Sequence, residues 1–193
     1  GATHACAVFA DMTLKCWGVL GGVLLANDAA SAPLVPAPAA RGGGLLTVYQ
    51  VTSTARGVCA VSRAREAWCW GDCTTGVCGL GMAAAYPSLS APLAPVDFGT
   101  ARVAAMAGHG SGNFVCALTT VGAVYCWGDG GSGQLGRGST ARVGVSDTPW
   151  VVGPAQMPTG VEAVGVAAGS GHACIVSSAR AVYCWGANSR GQL

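Results

Sequence analysis

Charge is what this sequence has least of. Asp, Glu, Lys and Arg make up 9% of its 193 residues, against about 25% in an ordinary soluble domain. Ten basic and eight acidic residues leave a net charge of +2, and Lys15 is the only lysine. The charges are scattered and form no basic stripe. Nucleic-acid binding needs many Lys and Arg side chains to neutralise phosphates, so no nucleic-acid partner is expected. So few charges do not clothe an ordinary monomer. Small and hydroxylated residues, a neighbouring chain or sugar must cover part of the surface.

Long apolar runs are also missing. A membrane-spanning helix needs about 20 mostly apolar residues. Leu80 to Val96 is broken by Pro87, Pro92 and Pro95, and Trp17 to Ala26 is short and holds three glycines. No membrane span is expected. No Asn-x-Ser/Thr sequon occurs, which excludes N-glycosylation of these residues. Composition leaves an O-linked glycan as an expectation for Ser31 to Pro38 and Ser88 to Pro95. The chain opens on Gly1 without a signal peptide and is expected to be processed or excerpted.

Chemistry-bearing constellations are scarce as well. The carboxylates are Asp11, Asp28, Glu66, Asp72, Asp97, Asp129, Asp147 and Glu162, and no Ser-His-Asp ordering stands out. Gly128 to Gly136 is glycine-rich but lacks the Lys-Ser/Thr ending of a phosphate loop. His4 and His172 share one position, two residues before a cysteine, where Gly57 and Phe114 stand elsewhere. That variation favours a structural role for both. His109 sits alone in a glycine-rich loop and is expected to be exposed. No catalytic, cofactor or metal site is expected, and the chain reads as a non-enzyme.

What is present is cysteine and glycine, ten and 31 respectively. Eight of the cysteines form pairs with one offset: Cys6 and Cys16, Cys59 and Cys69, Cys116 and Cys126, Cys174 and Cys184. First cysteines lie 53, 57 and 58 residues apart. A spacing that regular is a structural period. It divides the chain into repeats at about 1–51, 52–108, 109–168 and 169–193, the last one truncated.

Each pair reads as a β-hairpin. Val115 to Leu118 and Ala123 to Trp127 are strand-like runs, with Thr119 to Gly122 as the turn. A register centred on Val121 sets Cys116 opposite Cys126. Opposed residues in an antiparallel pair have Cα atoms about 4.5–5.5 Å apart, and a disulfide needs about 4.4–6.8 Å. The two ranges overlap, so the offset predicts a cross-strand bond. Cys73 and Cys78 fall in one loop and are expected to form a fifth bridge. Zinc sites favour gaps of about two to four residues between paired ligands; the gap is nine residues in four pairs and four in the fifth, which favours disulfides over zinc. An oxidising, extracellular or cell-surface location follows. Trp17, Trp70, Trp127 and Trp185 recur just after the second cysteine and are expected in the core.

After each hairpin comes a glycine-rich loop, then a proline-bearing connector at Ser31-Ala-Pro33, Ser90-Ala-Pro92 or Asp147-Thr-Pro149. Each connector is expected to lead into a short apolar strand. An apolar-Gly segment such as Val161 to Gly169 follows.

His172-Ala-Cys174, then Val182 to Gly186, then Asn188 with Gly191 to Leu193, resembles the regulator of chromosome condensation repeat. Cys116 to Leu118 with Val124 to Gly136 carries the same resemblance. The doubled cysteine looks like the secreted branch of that family. The resemblance implies an all-β protein of four-stranded β-propeller blades, usually seven. Three and a half repeats do not close such a ring, so a portion of a larger propeller is expected. The alternatives are a small four-bladed ring or an open arc completed by another chain. Function is expected to be a structural or adhesive surface component working through protein partners or self-assembly. The alternative is a secreted binding module or inhibitor using loops on one propeller face.

Overall fold

The computed structural model describes residues 3–12, 14–20, 23–24, 37–38, 40–41, 44–45, 47–83, 85–86 and 94–193. The first glycan segment, Ser31 to Pro38, lies outside these residues except for the backbone of 37–38. The second, Ser88 to Pro95, lies outside them except for 94–95.

The strands in chain order are β1 (His4–Val8), β2 (Leu14–Leu20), β3 (Val23–Leu24), β4 (Ala37–Pro38), β5 (Ala40–Arg41), β6 (Gly44–Leu45), β7 (Val48–Ser53), β8 (Gly57–Ser62), β9 (Ala67–Asp72), β10 (Ala85–Tyr86), β11 (Val103–Gly108), β12 (Phe114–Thr119), β13 (Val124–Gly128), β14 (Ala163–Ala168), β15 (His172–Ser177) and β16 (Val182–Gly186). They build small antiparallel sheets of consecutive strands. The first is β1-β2-β3 with β4 also on β2, the second β7 to β10, the third β11 to β13 and the fourth β14 to β16. A two-stranded pair, β5-β6, stands apart.

The hairpin register sets Cys6 opposite Cys16, Cys59 opposite Cys69, Cys116 opposite Cys126 and Cys174 opposite Cys184. The three later sheets also take in the strand before their hairpins: β7, β11 and β14 pair with β8, β12 and β15. Thus the sheets group 48–53, 103–108 and 163–168 with the cysteine pair that follows. The cysteine-based repeat limits run in a different phase.

Each hairpin closes on a three-residue loop whose last residue is left-handed. In the third repeat that residue is Gly122 (φ 79°), and Gly122 N–H donates to the Thr119 carbonyl. The other repeats hold Met12, Arg65 and Arg180 there, at φ 63–64°. A non-glycine residue in this region is disfavoured by about 1–2 kcal/mol, partly offset by the smaller unfolded-state freedom of any residue with a side chain. Arg180→Gly is therefore expected to stabilise the oxidised protein by about 0.5–1 kcal/mol. A denaturant midpoint that falls or stays fixed contradicts this.

The core lies at the seams between neighbouring sheets. Strand alternation sends Val58, Ala60, Trp68 and Trp70 into a cluster with Leu14 and Cys16 of the first sheet. Cys59, Val61 and Cys69 go the other way, into a cluster reaching the third and fourth sheets. β8 and β12 are buried along their whole length because both faces are covered. The fourth sheet is covered on one face only, so β15 alternates and Val176 and Val182 are exposed.

Two expectations about the outer edge change. The second sheet has a fourth strand of two residues, whereas the third has only a bridge between Gly128 and Val143. And Asp147-Thr-Pro149 leads not into a strand but into one helical turn, α1 (Pro149–Val152). Thr148 is its N-cap, accepting from Val151 N–H, and Pro149 opens the turn where no amide donor is needed. After Ser90-Ala-Pro92, residues 94–98 likewise form no strand.

Candidate functional site: the stapled hairpins and the seams between sheets

Five disulfides join Cys6–Cys16, Cys59–Cys69, Cys73–Cys78, Cys116–Cys126 and Cys174–Cys184. In the third hairpin Thr119 N–H donates to Ala123 O and Asp129 N–H to Asn113 O. Alternation from these two pairs makes Cys116 and Cys126 a non-hydrogen-bonded pair, the closer of the two antiparallel geometries. Their Cα atoms are 4.1 Å apart, as in the other three hairpins. The staples therefore hold the hairpins at their narrowest points. Cys73 and Cys78 are buried and close the loop after β9. Asp72 caps the short 3-10 turn 73–75 through Thr74 N–H (3.1 Å) and pairs with Arg56. Partial burial pushes the Asp72 carboxyl up; the Thr74 hydrogen bonds and the Arg56 guanidinium outweigh it and hold it below the ordinary range.

The tryptophans serve the seams. Trp127 is fully buried, and its indole N–H donates to the Val77 carbonyl of the preceding repeat at 2.8 Å. Trp185 does the same to the Gln134 carbonyl at 2.9 Å. Val77 and Gln134 each lie six residues after a Trp-Gly glycine. So the glycine loop of one repeat receives the tryptophan of the next. Gly79 and Gly136 leave room for the ring: a Cβ there would come within 3.0 and 2.8 Å of the two indole nitrogens. Trp70 is buried, while Trp17 and Trp185 are half-buried. A second stitch runs between inner strands. The Gln50 side chain donates to Met106 O and accepts from Met106 N–H, both at 2.8 Å. Sequence reasoning missed both devices. The signal for the first was present, since Val77 and Trp127 are separated by almost the same length as Gln134 and Trp185.

His4 is 5% exposed and neither ring nitrogen has a hydrogen-bond partner among the described residues. Burial lowers its pKa from 6.5 to about 4. The folded state thus holds neutral histidine, and the unfolded chain takes up the proton first as pH falls. Stability is undiminished above about pH 6.5 and is lost progressively between there and about pH 4. Acid-side unfolding curves should flatten over that window in His4→Asn; curves unchanged from the parent would contradict the reading. The His172 ring lies over Gly169, where a Cβ would approach Cε1 to 2.2 Å. His109 is bonded within its own loop, Nδ1 lying 2.9 Å from Ser111 Oγ.

The two later seams differ in their outer rims. At the seam of the second and third sheets, Phe98 packs edge-on against Tyr125 and Trp127, with centroids 5.4 and 5.5 Å away. Trp150 from α1 lies 6.4 Å from Tyr125. At the next seam the corresponding Tyr183 and Trp185 border an open groove of about 550 Å³, with Met157, Pro158, Gly133 and Gly138 also on its walls. No charged side chain lines it.

This stapled, radially repeated architecture has known counterparts. A family model for the regulator of chromosome condensation (RCC1) repeat matches residues 121–176, and a second model of that repeat matches 163–192. Residues 121–192 thus carry RCC1-type repeats. Over 148 residues it is 28% identical to the mouse E3 ubiquitin-protein ligase HERC2, a match covering 77% of this chain and 3% of HERC2. Human WBSCR16 superposes with a TM-score of 0.74 at 19% identity, over 95% of this chain and 45% of that one. Yeast RCC1 (Prp20), solved bound to Kap60, gives 0.72 at 17%, over 96% and 42%. The chain spans less than half of either solved structure and a small part of HERC2. At these identities the likeness shows the fold, and the sheets of this RCC1-repeat chain are β-propeller blades. No helix among the described residues is long and apolar enough to cross a membrane.

Proposed function

We propose that this RCC1-type module works outside the cell or at its surface, without catalysis, as a structural or adhesive component of a surface or filament assembly. The observation that carries the reading is the pairing of all ten cysteines, with none free. Cytosolic thiol buffers keep such cysteines reduced, whereas secreted proteins retain their bridges. Protein neighbours are supported by the low charge, 9% of the residues, against about 25% in an ordinary soluble domain.

A second reading is a secreted binding module or inhibitor acting through loops on one propeller face. That yeast RCC1 was solved bound to Kap60 shows protein binding by a protein of this fold.

Intact-mass measurement of protein from its native source, before and after reduction, tests the compartment. Five bridges predict a gain of about 10 Da, two hydrogens for each bridge. Ten free thiols sink the reading. Sedimentation then separates the two roles. Concentration-dependent assembly supports the structural one, and a dispersed monomer with one stoichiometric partner supports the binding one.

A further inference from the structure

The backbone bonds that join a hairpin tip to the strand entering the next sheet recur at three seams. At the first, Val48 N–H donates to Met12 O and Arg63 N–H to Thr47 O. At the second, Val103 N–H donates to Arg65 O and Thr120 N–H to Arg102 O. At the third, Ala163 N–H donates to Gly122 O and Ser178 N–H to Glu162 O. Met12, Arg65 and Gly122 are also the left-handed residues of their turns. Three equivalent side-chain positions per seam follow. The first seam fills them with Ala10, Met12 and Thr47, the second with Arg63, Arg65 and Arg102, and the third with Thr120, Gly122 and Glu162.

The fold therefore calls for arginine at none of the three positions. Backbone atoms make the recurring bonds, and two seams make them with no cation in place. The second seam nevertheless gathers three of the chain's ten basic residues at one spot, and all three are exposed. Arg65 and Arg102 start from adjacent points, because at their counterparts a Cβ on Gly122 would lie 3.4 Å from Glu162 Cβ. Elsewhere Arg56 and Arg142 face the carboxylates of Asp72 and Asp129. Arg65 instead lies over the Tyr49 ring, 5.1 Å from its centroid, with Nη1 donating to the Tyr49 hydroxyl at 3.3 Å. That contact orients the guanidinium without neutralising it. Between Arg65 and Arg102 is a depression of about 230 Å³, with Phe98 and Ala101 on its walls. Glu66 and Asp97 also border it, and Asp97 accepts from Gly99 N–H at 2.8 Å and Thr148 Oγ1 at 3.4 Å. Three guanidiniums against two carboxylates leave the patch cationic. Like charges held together repel one another, and an anion placed between them removes the repulsion.

We infer that this arginine triad is a docking site for an acidic segment of a partner protein. A guanidinium fork takes a carboxylate through two parallel N–H donors. Arg65 and Arg102, side by side, match carboxylates on neighbouring side chains. The apolar wall at Phe98 and Ala101 suits the methylene stem of a glutamate better than the hydroxyl-rich ring of an acidic sugar. No two carboxylates are adjacent in these 193 residues, so a second copy of them offers no such segment. The inference rests on the protein-neighbour reading above and names the neighbour's chemistry.

The test uses the 193-residue oxidised chain, isotope-labelled, titrated at low salt with capped tetraglutamate. Backbone amide resonances of residues 63–66 and 102 should shift saturably with a Kd below about 1 mM. The shifts should vanish at about 0.5 M salt, where exposed charges are screened. Capped tetraglutamine should not bind. The triple variant Arg63→Thr, Arg65→Gly and Arg102→Glu installs the residues of the third seam and should weaken binding at least about tenfold. Its amide spectrum away from the hairpin tips should match the parent's. Arg102→Gln alone should weaken binding about threefold, and Arg142→Gln, outside the triad, should leave it unchanged. The site is overturned by an absence of saturable shifts, by binding of tetraglutamine, or by undiminished affinity in the triple variant. Tighter binding of tetragalacturonate, which carries the same number of carboxylates, overturns the choice of a protein ligand. None of these results alters the native-source mass shift, so failure of the docking site is distinguishable from failure of the extracellular reading.

Discussion

Trp127→Ala is expected to destabilise the protein by about 3–5 kcal/mol, the usual cost of removing a buried indole. Trp127 is fully buried at the seam of the second and third sheets, against Phe98 and Gly79. Its loss leaves a cavity that rigid, stapled hairpins cannot collapse to fill. It also leaves the Val77 carbonyl without its indole donor, and an unsatisfied buried acceptor adds about 1–3 kcal/mol where water cannot reach it. Trp127→Phe separates the contributions, because it keeps most of the apolar volume and removes the donor. Denaturant unfolding under non-reducing conditions should rank parent, Phe and Ala in that order. A Trp127→Ala midpoint equal to the parent's refutes the assignment of this residue as the seam's main contact.

Gly128→Ala should cost about 2–5 kcal/mol, from a left-handed backbone strain of about 1–3 and an overpacking term of similar size. Gly128 has φ 104°, and a Cβ would lie 2.3 Å from the Asn113 carbonyl oxygen and 2.8 Å from Phe114 Cα. Both are backbone atoms held by the β12-β13 ladder, so they cannot swing aside. Gly18 and Gly186 show the same close approach, with contacts of 2.4 and 2.6 Å. That explains glycine after each repeat tryptophan. Gly131→Ala is the control. Its Cβ would meet only Asp129 Oδ1, at 3.8 Å, and the expected change is within about 0.5 kcal/mol. Equal losses at positions 128 and 131 would defeat the steric explanation.

Much of the local structure was legible in the residues. The ten-residue cysteine offset, the glycine-bearing turn at 122 and the β-branched runs around it specify a hairpin and its register, because strand pairing has a period of two and a fixed separation. Less legible was the left-handed position in the other hairpins. There Met12, Arg65 and Arg180 stand where glycine would have advertised the turn, and strand pairing overrides their intrinsic preference. The connector after Asp147 was misread as a strand because Trp150, Val151 and Val152 are good strand residues. The Thr-Pro cap decided for a helical turn instead. Gln50 gave no signal, since nothing in a polar residue within an apolar strand shows which backbone it will meet.

The sequence by itself determined the repeat, the hairpin register, the oxidising chemistry and the kinship with RCC1 repeats. All of these are encoded by short spacings, and local geometry converts short spacings directly into contacts. Only the tertiary structure decided what the seams do. It placed Trp127 and Trp185 on the preceding repeat's loops and laid residues 143–152 over the seam of the second and third sheets. Those contacts join residues about 50 positions apart, such as Val77 with Trp127 and Gln134 with Trp185. They depend on how one sheet stacks upon its neighbour, and no single repeat carries that information within itself.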